Sequence, residues 1–217
     1  MRSLDIVNRD QQTVAVTNEH VAQIMAYLKA LDLLTICPIV SADPSVPSED
    51  RIIFTQPGMR FAQAQALVHS LNKDRIFATQ TDRERERICA KIESDVMGRM
   101  LEDIVLCETI RAIPYKRDKY KQLRVFKLKF DRGEFDMAIH DPERETCRLF
   151  EIKHTTERDD SQLRHLLDPD KLAYAERNYG KVLSRTVLYR GKPLVRKKCV
   201  AYCNVAAFLK EMGDSIS

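Results

Sequence analysis

The sequence lacks any apolar run that approaches the roughly 20 residues of a membrane-spanning helix. Its first ten residues are polar and contain no apolar core of a secretory signal, so we expect a protein of the cytoplasm with no membrane contact. The formal net charge is only +4, a smaller excess than dedicated non-specific nucleic-acid binders usually carry. The six glycines nowhere form a Gly-x-x-x-x-Gly-Lys-Ser/Thr loop, so we do not expect this chain to bind ATP.

The six cysteines give no sign of a disulfide framework or a zinc site. They are scattered along the chain, mostly inside apolar segments. Because no export signal is present, we interpret them as reduced and mostly buried. Cys199 and Cys203 could share a strand face, but their spacing is not that of a zinc knuckle and no second pair exists.

Hydrophobic residues make up 44% of the chain and charged residues 31%, which is typical of a soluble globular protein with a sizeable core. In the first part, apolar periodicity and turn residues predict a helix over 18–36 that ends before Pro38, a loop over 41–50, a short strand over 51–54 and a helix over about 60–71. We therefore predict that residues 1–80 form a small, mostly helical domain that could be winged-helix-like.

Residues 81–217 are predicted to form an α/β domain. The longest helical pattern runs from Asp82 to about Ile113. Strands are predicted over 123–130, 134–140, 147–153, 183–189 and 198–203, and helices over 168–179 and 205–212. The helix over 168–179 has Asp168 as its predicted N-cap and Gly180 just past its end.

Charged residues interrupt two predicted strands in the stretch EFDMAIHDPERETCRLFEIKH at 134–154. Since strand side chains alternate between faces, Glu151 and Lys153 share one face. A hairpin that turns near residues 143–144 places Asp136 opposite or diagonal to Glu151. One interpretation is an ordinary half-exposed strand surface. The apolar flanks favour a covered strand, where such charges need partners.

Two neighbouring carboxylates repel each other unless a cation lies between them. A hard divalent ion such as Mg²⁺ or Mn²⁺ takes oxygen ligands of the kind that Asp136 and Glu151 offer. Lys153 would then orient a water molecule or stabilise charge that develops on a phosphate. The hairpin therefore leads to the hypothesis of metal-assisted phosphodiester hydrolysis.

The order of a helix with an acid, a hairpin with Asp and then Glu-x-Lys, a helix and a strand resembles the PD-(D/E)xK nuclease superfamily, whose core is restriction-endonuclease-like. Over roughly residues 20–212, the chain resembles more closely the C-terminal region of a family of prokaryotic AAA-type ATPases of uncertain role. The matching stretches are AYLKALDLLTI, FTQPGMRFAQAQALV, GRMLEDIVL, GEFDMAIHDPE, FEIKHTTE, QLRHLLD, RTVLYRG and NVAAFLKEM.

The resemblance implies a mixed-sheet core flanked by helices, in which Asp136, Glu151 and Lys153 form the nuclease motif. It implies that Glu102, borne on the long helix, completes the site for Mg²⁺ or Mn²⁺. The cleft would also be lined by three residues that follow the core: Gln162, Arg164 and His165. Among these, Arg164 and His165 are candidates for nucleic-acid contact. A partner is implied as well, namely an ATPase portion that lies outside these 217 residues.

A basic stretch, YKRDKYKQLRVFKLKF at 115–130, allows two interpretations. In the first, its cations contact nucleic-acid phosphates while tyrosines stack on bases. The residues concerned are Lys116, Arg117, Lys119 and Lys121. In the second, a solvated loop precedes a strand whose phenylalanines and leucine point inward, while Lys127 and Lys129 point outward.

Three functions remain open from the sequence. The first is a metal-dependent nuclease, and the second is a non-catalytic DNA-binding or regulatory module of the ATPase. The binding of a divalent ion would separate these two. The third is a protein-interaction domain that uses residues 18–71, for which an exposed apolar patch on those helices would be the sign. The fold alone cannot choose among them.

Overall fold

The computed structural model describes residues 5–7, 13–114, 117–118, 120–197 and 199–214. The described residues form five α-helices and ten β-strands. In chain order these are β1 (Asp5–Val7), β2 (Thr13–Ala15), α1 (Asn18–Ala30), β3 (Leu34–Ser41), β4 (Glu49–Phe54), α2 (Gly58–Lys73), α3 (Asp82–Ala112), β5 (Arg124–Lys129), β6 (Glu134–Asp141), β7 (Thr146–Lys153), α4 (Pro169–Tyr179), β8 (Lys181–Tyr189), β9 (Leu194–Lys197), β10 (Val200–Asn204) and α5 (Val205–Asp214).

Eight of the strands form one sheet in the order β4-β3-β5-β6-β7-β8-β10-β9. Three neighbouring pairs are parallel, namely β3 with β5, β7 with β8, and β8 with β10. The remaining neighbours are antiparallel. The predicted α/β class with a mixed sheet is therefore confirmed. β1 and β2 form a separate antiparallel pair.

Helices cover the two faces of this sheet. On one face, α3 and α5 pack through Val105, Leu106 and Val205 against strand residues that include Met137 and Phe150. On the other face, α4 packs through Ala175 against a cluster of buried strand residues: Phe126, Leu128, Phe135, Leu149, Val187 and Tyr189. The inner strands are consequently buried on both faces, which explains their nearly continuous apolar runs.

The first predicted helix is too long. α1 is capped by Thr17, whose side chain accepts from the His20 N–H, but it ends at Ala30 instead of residue 36. Asp32 has a φ of 53°, a left-handed conformation that a short polar side chain tolerates and that stops the helix. The β-branched residues that follow fit a strand, and β3 runs from Leu34 through Pro38. The helical spacing of the leucines misled the prediction.

The other predicted elements agree with the structure to within three residues at each end. α4 is capped by Asp168, which accepts from the Asp170 and Lys171 N–H groups, and it ends at Gly180 with a φ of 78°. Besides β3, three described strands, β1, β2 and β9, were not predicted, and β9 pairs with β10. A basic Pro-containing stretch gives no alternation from which an edge strand could be recognised.

The predicted boundary between residues 80 and 81 stays a prediction, but the sheet crosses it. β3 lies inside the sheet, between β4 and β5, with Ile39 opposite Lys127. All six cysteines are free, and three of them, Cys37, Cys107 and Cys147, are buried. Within the described part of the chain, no helix is both long and apolar enough to cross a bilayer.

Candidate metal centre

The site lies where the β6–β7 hairpin opens. The two strands pair from Asp141–Thr146 at the turn to Met137–Phe150. One residue beyond that last pair, the carboxylate of Asp136 reaches across and its Oδ2 accepts the backbone N–H of Ile152 at 2.8 Å. A side chain thus takes the place of a strand hydrogen bond where the pairing ends.

Lys153 joins Asp136 to Glu151. Its Nζ lies 3.1 Å from Asp136 Oδ2 and 2.6 Å from Glu151 Oε2. Because both oxygens contact one ammonium group, they are no more than about 6 Å apart. The structure therefore brings together the three residues that the hairpin pattern singled out; their chemical roles stay predictions.

On the other side of Asp136 lie two further acids. Carboxylate oxygens of Glu102, Glu134 and Asp136 all lie within 4.8 Å of one another, which suits three oxygen ligands of one ion. Glu102, in α3, was predicted from the family resemblance. Glu134 was not predicted, although its spacing of two from Asp136 in the same strand was a usable signal. Asp136 thus belongs to two groups of acids, one with Glu102 and Glu134 and the other with Glu151.

Lys127 lies between Glu102 and Glu134, and the second interpretation of the basic stretch placed it wrongly. It was expected to point outward, yet it is 2% exposed, and its ammonium donates to both Glu102 Oε1 and Glu134 Oε1, the latter at 2.8 Å. The expectation failed because β5 is covered on both faces, so alternation does not place its polar side chains in solvent. In the sequence, the one indication that Lys127 is buried was its position inside an apolar strand.

Cations from the first part of the chain hold Glu102. Arg51 of β4 donates to the two Glu102 oxygens at 3.0 and 3.3 Å and to Asp103 Oδ1 at 2.6 Å. Arg60 of α2 contacts Asp103 Oδ2 at 2.9 Å. This network fixes the middle of α3 against the sheet edge, and it sets the position of the Glu102 carboxylate.

Glu151 is the most deeply buried of these four acids. Burial, and then the nearby charge of Asp136, raise the pKa of Glu151 to about 8 against the opposing effect of Lys153. The side chain is 1% exposed, and its Oε1 is buried with no hydrogen-bond partner among the described residues. An unpaired buried carboxylate oxygen beside a second carboxylate is the feature that a bound cation would relieve.

The other charged groups respond to the same surroundings. Burial alone would lower the pKa of the Lys153 amine, but Asp136 and Glu151 outweigh it and raise that pKa. The pKa of Lys127 is raised in the same way, mainly through Glu102. Burial raises the pKa of Glu102 although Lys127 and Arg51 oppose it. Both lysines are therefore ammonium ions at neutral pH.

A cleft of about 430 Å³ opens onto this cluster from the side of α3. Glu102, Asp136 and Lys153 line it, together with Gly98 and Arg99 one turn earlier in α3. The cleft also contains His154, whose Nε2 lies 3.0 Å from an Arg190 guanidinium nitrogen, and whose pKa is lowered by burial and by that cation. Asp95 lines it too, so the wall of the cleft carries charges of both signs.

The three residues after the core have different surroundings. Gln162 donates from Nε2 to the Glu157 carbonyl at 3.1 Å. Arg164 lies 3.5 Å from His165 Nε2, whereas His165 Nδ1 lies 2.7 Å from Lys171 Nζ. The His165 ring is thus held by protein groups, and its nucleic-acid contact stays a prediction.

The basic stretch lies at the other end of the hairpin. Lys121 contacts Glu143 in the β6–β7 turn at 3.7 Å, roughly 17 Å along β6 from Asp136. Arg117 is exposed in the same loop. Lys116 and Lys119 lie outside the described residues. The structure therefore does not bring Lys121 together with the carboxylates.

Comparisons of the chain with protein-family models, with curated proteins and with solved structures find no match. The family resemblance of the sequence thus stays a prediction. What the geometry offers chemically is a shared carboxylate, Asp136, with further oxygen donors on both sides and an ammonium group, Lys153, at the edge of an open cleft.

Proposed function

We propose that this protein is a Mg²⁺- or Mn²⁺-dependent hydrolase of nucleic-acid phosphodiesters, with a restriction-endonuclease-like core. The observation that carries the proposal is the meeting of Asp136, Glu151 and Lys153 at the open end of a hairpin, with Glu102 across the cleft. The combination of clustered oxygen donors, a lysine and a cleft is the set of groups that such hydrolysis needs.

The donor set fits a hard divalent cation. Asp136 would be the central ligand, with Glu102 and Glu134 on one side and Glu151 on the other. All of these ligand atoms are carboxylate oxygens, which Mg²⁺ and Mn²⁺ prefer. Oε1 of Glu151, which accepts no hydrogen bond from the described residues, is available to an ion. The bound ion would supply Lewis acidity toward a phosphate oxygen.

The residues of the chain would do the rest of the chemistry. Lys153 is charged at neutral pH and lies at the cleft wall, so it can orient a water molecule or stabilise negative charge on the phosphate. Arg99 and the Arg190–His154 pair would bind the flanking phosphates of the substrate. Arg51 and Lys127 would keep Glu102 in place.

A second candidate is a non-catalytic nucleic-acid-binding or regulatory module on the same fold. The position of Lys127 favours it, because an ammonium group between Glu102 and Glu134 already neutralises these acids without a metal ion. In either case we propose, from the sequence resemblance, that the chain works with an AAA-type ATPase portion and that its first residues could be winged-helix-like. The two candidates differ in whether a divalent ion binds and cleavage follows.

The test is cleavage of supercoiled plasmid and of single-stranded DNA with Mn²⁺, for the parent protein and for Lys153→Ala. We expect cleavage by the parent and its loss in the variant. Lys181→Ala is the matched control, since it removes an exposed lysine at the opposite end of the sheet. Equal cleavage by all three proteins would indicate a contaminant, and no cleavage by the parent would favour the non-catalytic module.

A further inference from the structure

A buried lysine outside the cluster holds the turn that carries Glu134. Lys171, in the first turn of α4, is 7% exposed, and its Nζ donates to the backbone carbonyl of Arg132 at 2.6 Å. The same ammonium lies 2.7 Å from His165 Nδ1 and 5.1 Å from the centre of the Phe130 ring. Burying a lysine is costly without such partners, and two of these three contacts are to the short turn over residues 130–133, so the arrangement needs an explanation.

The turn between β5 and β6 is fixed from both ends. Its closing hydrogen bond runs from the Phe130 N–H to the Gly133 carbonyl at 2.9 Å, and Glu134 begins β6 directly afterwards. Gly133 has a φ of 84°, which disfavours any side chain. A Cβ built there would overlap the His165 ring, at 2.9 Å from Nδ1 and closer to Cε1 and Nε2.

The donors and acceptors of Lys171 and His165 fix the direction of each hydrogen bond between them. An ammonium can only donate, so His165 Nδ1 accepts from Lys171 and the ring is neutral. The lysine therefore locks the imidazole, the imidazole closes over Gly133, and the lysine also binds the Arg132 carbonyl. We call Lys171, His165 and Gly133 the turn clamp.

We infer that Lys171 is a positioning residue that, through the turn clamp, holds the carboxylate of Glu134 where the candidate metal centre needs it; this inference rests on the proposed function. Glu134 is one of the three acids whose oxygens lie within 4.8 Å of one another, and the clamp ends one residue before it. Groups that orient metal ligands in this way affect metal affinity about 10- to 100-fold.

The sign of the effect separates positioning from simple charge. Lys171 is a cation close enough to Glu151 to interact with it, so its removal should strengthen the binding of another cation if charge alone mattered. Loss of positioning predicts the opposite, a weaker binding. The proposal is therefore tested by the direction of the change.

The experiment measures Mn²⁺ dissociation constants by the electron paramagnetic resonance signal of free Mn²⁺. Lys171→Met keeps the length of the side chain and its contact with Phe130 but removes the donors. We expect about tenfold weaker Mn²⁺ binding than in the parent. Arg111→Met is the matched control, because Arg111 also holds a turn, through Asp32, about 14 Å further along α3 from Glu102. It should leave Mn²⁺ binding unchanged.

A double variant tests the route through Glu134. In the Glu134→Ala background, adding Lys171→Met should weaken Mn²⁺ binding no further, since the ligand it positions is gone. Unchanged or tighter binding in Lys171→Met, or a full tenfold loss in both backgrounds, would overturn the inference. So would a parent that binds no Mn²⁺. If the parent binds Mn²⁺ but cuts no nucleic acid, the proposed hydrolysis fails while the clamp stands.

Discussion

At the scale of single residues, the protonation of Glu151 connects the site to stability. Its pKa is raised to about 8 in the folded chain by burial and by Asp136, whereas an unfolded glutamate has its ordinary value. The folded state therefore binds one more proton than the unfolded state between these two pH values. This contribution to stability is fully present below the ordinary pKa and is lost as the pH rises through about 8.

We expect Glu151→Gln to remove this dependence. Without metal, the free energy of unfolding of the parent should fall relative to the variant as the pH rises from about 5 to about 8, by a few kcal/mol, since one pKa unit corresponds to about 1.4 kcal/mol. Urea unfolding at several pH values measures it. Glu86→Gln, an exposed carboxyl on α3, is the control and should follow the parent. A constant difference between the parent and Glu151→Gln would contradict the raised pKa.

Lys127 gives a second prediction at this scale. Lys127→Met removes the cation that Glu102 and Glu134 share. Glu102 keeps Arg51 and the Glu134 side chain is 37% exposed, so we expect a loss of about 1–3 kcal/mol, less than for an uncompensated buried charge. Mn²⁺ should restore much of the loss, because it can take the place of the ammonium. Melting temperatures with and without Mn²⁺ measure both effects. The exposed pair Lys91–Asp95 provides the control, since Lys91→Met should change stability by less than about 1 kcal/mol. Failure of Mn²⁺ to stabilise Lys127→Met would argue against an ion at this position.

At the scale of elements, the sequence predicted what local patterns determine. The alternation in β7 and the turn near residue 143 were enough to bring Asp136 next to Glu151. The position of Lys127 depends on α3, which is distant in sequence, and on the covering of β5 from both faces. The role of Glu134 could not be predicted without the position of α3 either. An acid at the start of a strand is common, and only the nearby Glu102 carboxylate makes it a candidate metal ligand.

α3 carries a glycine that keeps the cleft open. Gly98 lies one turn before Glu102, and a Cβ there would meet no atom within 4 Å. Gly98→Ala should therefore stabilise the helix by about 1 kcal/mol. Gly98→Phe should fill the cleft and abolish cleavage without loss of stability. Ala90→Phe, exposed on another side of α3, is the control for added bulk. Full cleavage by Gly98→Phe would show that substrate does not enter this cleft.

At the scale of the whole molecule, exposed apolar side chains concentrate in the first part of the chain. α1 contains no buried residue, and Val21, Ile24 and Tyr27 are among its exposed apolar side chains. α2 has one buried residue, Ala64. In contrast, β3 and β4 contribute Cys37 and Ile53 to the core. An exposed apolar surface is what we expect if residues 18–71 bind another protein, and that role stays a prediction.

Truncation should separate the contribution of α1 to stability from that of β3 and β4. A chain without residues 1–30 should keep its melting temperature within a few degrees, because none of the side chains described over residues 15–30 is buried. A chain of residues 81–217 should fail to fold cooperatively. It lacks four buried apolar side chains and leaves Asp103, 3% exposed, without Arg51 and Arg60. Circular dichroism during thermal unfolding tests both. A cooperative transition in the 81–217 fragment would instead support the predicted boundary at residue 80.

The most direct measurement is a calorimetric titration of the parent and of Asp136→Asn with Mn²⁺. Asp136 is shared by both groups of acids, so the amide should remove ion binding while it keeps an acceptor for the Ile152 N–H. We predict one ion per chain in the parent, proton release near neutral pH as Glu151 ionises, and no binding in Asp136→Asn. A parent that takes up no ion, or a variant that binds it equally well, would contradict the metal centre.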